Sequence, residues 1–69
     1  MSWNHRVIFD KDTGLYSIHE VYYVDGENIG MTENPVHAQE ESVDDLEETL
    51  RRMLRACQMP VLESEFADK

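Results

Sequence analysis

The sequence predicts an α+β domain: a three-stranded antiparallel sheet in the order β-β-β-α, with one helix packed on one face. Three observations predict it. Residues 3–10 and 15–24 are rich in β-branched and aromatic residues set in alternation, the two-residue period of a strand. Two turn signals follow them, Lys11-Asp12-Thr13-Gly14 and Asp25-Gly26-Glu27-Asn28, each with a glycine free to take positive φ. From Val43 onward the apolar residues recur instead at three- and four-residue spacing, the period of an amphipathic helix.

Each element has its own logic. The first strand is WNHRVIFD over 3–10, and the second, LYSIHEVYYV over 15–24, is the longest. A third, weaker strand is expected over 29–36, cut short by Pro35, which has no N–H to give a ladder. Residues 37–41 form a polar connection. Ser42 is a good N-cap for a helix over 43–58, with Asp45 in the acidic place of a variant capping box. Pro60 stops the helix, and Val61-Leu62 leave room for a short C-terminal strand. Residues 1–62 make one domain, and 63–69 an acidic tail without fixed structure.

The register can be carried further. A loop over 11–14 makes Asp10 face Leu15, so Trp3 faces Tyr22, His5 faces Glu20, Val7 faces Ile18 and Phe9 faces Tyr16. These eight share one face, apolar apart from His5 and Glu20. Either reading of the second turn, two residues or four, puts Ile29 and Met31 on this face as well. The helix stripe Val43, Leu46, Leu50, Met53, Leu54 and Cys57 is expected to pack over it. Val7, Ile18, Tyr22, Leu46, Leu50 and Met53 are the predicted core. The opposite face, with Arg6, Ile8, Ser17, His19, Val21 and Tyr23, is expected to stay uncovered.

Composition limits the function. The chain has 69 residues and a formal charge of −9, with 15 Asp and Glu against 6 Lys and Arg. The acidity is spread over both halves. Such a field opposes direct binding to nucleic acid and to anionic membranes, and favours a basic partner or simply solubility. The start has no apolar signal-peptide core, and no run approaches a membrane span. Cys57 is the only cysteine, so no internal disulfide forms, and the reducing cytoplasm is the expected home.

The candidates for chemistry are few. His5 and Glu20, with Glu33 beyond them in one register, could hold a metal or act as acid and base. A cross-strand pair at the rim of the apolar face is the simpler account, because the spacing matches no ligand signature. Cys57 falls on the helix stripe and reads as a core residue. No phosphate loop and no serine triad can be built, so neither cofactor, metal nor enzyme activity is expected. The carboxylates Glu40, Glu41, Asp44, Asp45, Glu47 and Glu48 suit a helix N-terminus. They also allow the imitation of a phosphate row, as in small phage-type inhibitors of DNA-binding proteins.

Ser2-Trp3-Asn4-His5-Arg6-Val7, Ile18-His19-Glu20-Val21-Tyr22-Tyr23 and Pro35-Val36 resemble a family of short uncharacterised bacterial proteins, over nearly the whole chain. No activity comes with that resemblance. The layout, with a helix opening Glu41-Ser42-Val43-Asp44-Asp45-Leu46, more loosely resembles the N-terminal domain of the HicB antitoxin family. That resemblance implies a partial ribonuclease-H-like fold without catalytic carboxylates, which binds a small basic toxin. The glycine- and proline-rich stretch that precedes the helix in that family is missing here.

The expectation is therefore a non-enzymatic protein–protein interaction or regulatory module. It binds another protein, basic in character, with the open face at Arg6, Ile8, His19, Val21 and Tyr23 as the candidate surface, and pairs as a homodimer through that face or through an edge strand. The alternative is an acidic inhibitor that occupies a nucleic-acid site through Glu40, Glu41, Asp44, Asp45, Glu47 and Glu48.

Overall fold

The structure, a computed structural model, describes residues 1–63 of the 69. Of the predicted tail over 63–69, Glu63 belongs instead to a strand paired with Phe9, and residues 64–69 lie outside the described ones. The elements are β1 (Ser2–Asp10), β2 (Leu15–Val24), β3 (Glu27–Met31), α1 (Val43–Ala56) and β4 (Leu62–Glu63). The strands make one mixed sheet in the order β3-β2-β1-β4. The α+β class stands, but the sheet has four strands, and β4 runs parallel to β1 through Ile8 and Leu62.

The hairpin of β1 and β2 has the expected register, with Trp3 opposite Tyr22 and Val7 opposite Ile18. Its turn is held locally. The Asp10 carboxylate accepts from the Asp12 amide at 2.9 Å, and the Asp10 carbonyl accepts from the Gly14 amide at 2.7 Å. Gly14 sits at φ 74, where a side chain is strained.

The second turn is the two-residue kind. Asp25 (φ 53) and Gly26 (φ 80) both take positive φ, as a turn matched to strand twist requires. Tyr23 then faces Asn28, but Tyr22 faces Gly30 and Val21 faces Met31. The extra residue, Ile29, is a β-bulge. A one-residue slip exchanges the faces, so Met31 moves to the side of Val21. That corrects its expected place beside Tyr22. β3 ends at Met31 and not near Pro35. The chain still follows β2: the Thr32 amide donates to the Glu20 carbonyl at 3.0 Å, and the Val36 amide to Ile18 at 2.9 Å. The bend at 33–34 and the missing N–H of Pro35 interrupt the ladder between them.

Helix α1 opens as expected. Ser42 has extended backbone angles, and its hydroxyl accepts from the Asp45 amide at 3.1 Å. The helix ends at Ala56, two residues before the expected boundary. Cys57, Gln58 and Met59 close it with i to i−3 bonds, a tightened last turn.

The core differs from the expected one. Val7 is buried, but the deepest large side chains are Ile8 and Val21, 1% and 0% exposed, on the face expected to be open. They flank the paired Arg6 and His19 on that face. Ile18, Tyr22, Leu46 and Met53 are half-buried, and Leu50 is 49% exposed. On α1 the inward line is Leu46, Thr49, Met53 and Ala56, the last 1% exposed. At about 100° per residue, this line lies well round from the centre of the apolar stripe. Val43, Leu54 and Cys57 are accordingly exposed, and the core role expected of Cys57 does not hold.

Candidate functional site

The face at Arg6, Ile8, His19, Val21 and Tyr23 is a closed network. The Arg6 guanidinium donates to the Pro60 carbonyl at 2.7 Å and to the Tyr23 hydroxyl at 3.3 Å, and Tyr23 donates to Asn4 Oδ1 at 2.8 Å. Arg6 Nε is buried without a partner among the described residues. His19, 5% exposed, lies between the Ser17 hydroxyl at 3.0 Å from Nε2 and the Thr32 carbonyl at 2.9 Å from Nδ1. Nδ1 must donate to that carbonyl, so a neutral ring accepts the Ser17 proton at Nε2. The expected open surface is thus corrected. Ile8, His19 and Val21 face inward, and only Arg6 and Tyr23 keep partial exposure.

Sequence reasoning built no serine triad and did not single out this pair; Ser17 and His19 meet because i and i+2 share a strand face. They line a cleft of about 360 Å³ with Ile8, Met31, Glu33 and Pro35. The contacts have a sufficient structural task. They satisfy a buried imidazole and tie residue 32 to β2.

The row of His5, Glu20 and Glu33 is not brought together. His5 and Glu20 face each other on neighbouring strands, but Glu20 accepts from the Tyr22 hydroxyl at 3.2 Å. Glu33 lies past the bulge, in the cleft of His19. Among the described residues no three His, Cys, Asp or Glu are grouped to hold a metal ion. Desolvation first, then the hydrogen bond and charge of Glu20, raise the Tyr22 phenol above its ordinary value of 10.0.

The six carboxylates at the start of α1 are all exposed. Glu47 and Glu48 pair with Arg51 and Arg52 at 2.6 and 2.8 Å, and Glu40 accepts from Thr49 at 2.9 Å. Asp44, Asp45, Glu47 and Glu48 point round several sides of the helix at about 100° per residue.

A second cleft, of about 490 Å³, is lined by Trp3, Asn4, His5, Arg52, Arg55, Ala56 and Met59. It lies where α1 meets the sheet at β1. Sequence reasoning did not find it. The signal was the coincidence of Trp3 and His5 on one strand face with arginines late in the helix, but only tertiary packing joins them.

No helix of the described residues is long and apolar enough to cross a membrane. Fold and clefts define a small α+β domain with a buried polar network, an exposed apolar helix strip and a cationic cleft. No family model, no curated protein and no solved structure matches the chain.

Proposed function

We propose that this chain is a small non-enzymatic interaction module that docks a basic protein on the exposed apolar strip of α1. One observation carries the reading. Val43, Leu50 and Leu54, the outward half of the helix stripe, are 79%, 49% and 63% exposed. Single exposed apolar residues are ordinary, but a strip along one helix marks a contact surface. The exposed carboxylates Glu40, Glu41, Asp44 and Glu47 stand around its N-terminal end. They and the charge of −9 favour a basic occupant and oppose a second copy of the chain. The loose resemblance of the layout to HicB N-terminal domains points toward the same class of partner.

The test uses a synthetic amphipathic helix of leucine and lysine as the probe. It should bind the chain, and Leu50→Glu together with Leu54→Glu should weaken binding at least roughly tenfold, about 1.4 kcal/mol. Equal binding by the double variant, combined with loss on adding moderate salt, would favour charge imitation instead. Light scattering at micromolar concentration should give a mass near 8.1 kDa. A mass twice that would mean a second copy covers the strip, and would overturn the basic-partner reading.

A further inference from the structure

The cleft between β1 and the end of α1 has a composition at odds with the rest of the protein. The chain carries 15 Asp and Glu, yet none of the described ones lines this cleft, while two of the six Lys and Arg do. Arg52 is held by Glu48 at 2.8 Å. The Arg55 guanidinium has no hydrogen-bond or ion-pair partner among the described residues. His5 is only 9% exposed, and its ring makes an edge contact with Trp3, centroids 5.4 Å apart at 78°. Neither ring nitrogen bonds a described residue, and neither is sealed from solvent; His5 itself lines the cleft. Buried imidazole nitrogens are ordinarily paired with protein or water; here no described residue supplies the pair, which leaves it to water or to a bound molecule.

We propose that this cleft binds a small aromatic anion: a flat ring carrying one carboxylate or phosphate group. Trp3 is half exposed and offers an indole for the ring to pack against. Arg55 and Arg52 supply the charge, with the fork of donors that suits carboxylate and phosphate oxygens. The His5 ring and the Asn4 amide add hydrogen bonds that fix orientation. A volume of about 490 Å³ falls within the range of small-molecule sites. Helix-dipole compensation accounts for an arginine in the last turn of α1. It does not account for a half-open tryptophan and a histidine without a described partner lining the same cleft. The cleft uses Arg52 and Arg55, on a different side of α1 from Leu50 and Leu54, so it is independent of the proposed docking strip.

Trp3 is the only tryptophan, so its fluorescence reports on the cleft without labelling. The full chain is titrated with adenosine 5′-monophosphate, with benzoate, and with uncharged adenosine. The expected result is saturable quenching by the phosphate or the carboxylate, with adenosine at least roughly tenfold weaker. Whichever anion binds tells which acid group the site takes. Arg55→Gln should weaken that binding at least roughly tenfold. Arg51→Gln removes the same charge outside the cleft and should leave it unchanged. Both arginines are exposed, so both variants should fold, as circular dichroism checks. The proposal is overturned if neither anion gives saturation, if adenosine binds equally well, or if the two variants lose affinity alike.

Discussion

The burial pattern predicts that Ile8, on the face that looked more polar, supports the fold more than Leu50, at the centre of the helix stripe. Ile8→Ala removes three carbons from a side chain that is 1% exposed. At about 0.8 kcal/mol per buried methylene, the transfer part is about 2.4 kcal/mol. A residual cavity raises the cost to about 3 kcal/mol, inside the usual span of about 2–5. Leu50→Ala removes the same number of carbons from a side chain 49% exposed. Half of that transfer part, with no enclosed cavity, is about 1 kcal/mol. A domain of 69 residues has a stability of about 3–10 kcal/mol, so Ile8→Ala could unfold it outright. Ile8→Val, costing about 0.5–1.5 kcal/mol, is the fallback. Urea unfolding followed by circular dichroism at fixed protein concentration is the assay. A Leu50→Ala loss equal to or above that of Ile8→Ala would refute the reasoning, and would place the helix stripe against the sheet.

Two further outcomes follow from single contacts. Ser42→Ala removes the hydroxyl that caps the Asp45 amide and should cost about 1 kcal/mol; urea unfolding with no change would mean the cap is made by water. The Tyr22 phenol, held above 10.0, favours the protonated form in the folded state. Its contribution to stability is therefore complete below the unfolded value of 10.0 and is lost as pH rises through the higher folded value. Ultraviolet titration of the chain against Tyr22→Phe checks this; the missing transition should lie above 10.0, and Glu20→Gln should bring it down.

What was legible in the sequence is what local chemistry decides. The register of β1 on β2 follows from a four-residue loop whose ends are set by Asp10 and Gly14, and the alternation then fixes every pair. The start of α1 follows from one side chain, Ser42. The ion pairs of Glu47 with Arg51 and Glu48 with Arg52 follow from helical spacing alone. The bulge at Ile29 did not show, because both ordinary turn lengths preserve the same face and only an inserted residue exchanges it. Met31 and Glu33 were misplaced with it, and so the imagined row of His5, Glu20 and Glu33 dissolved. The cationic cleft was equally hidden, since Trp3 and Arg55 are joined by packing and not by any spacing along the chain.

The facing of α1 and the closing of the second sheet face belong to one constraint, the return of the chain after the helix. The Arg6 guanidinium holds the Pro60 carbonyl, and two residues later Leu62 pairs beside Ile8 along the edge of β1. The chain leaving α1 is thereby drawn to the free edge of β1, and the helix packs on that strand in particular. Ala56, near the point of return, is the residue pressed in, while Val43, at the far end, is 79% exposed. Edge strands that lack a partner invite association with another chain. Here the β1 edge pairs with Leu62 and Glu63 of the same chain, and the uncovered apolar surface lies on the helix. An apolar stripe read from periodicity alone records how much surface a helix must cover; it does not say whether the cover comes from its own sheet. In this protein Leu46 and Met53 find cover within the chain, and Val43, Leu50 and Leu54 stay exposed.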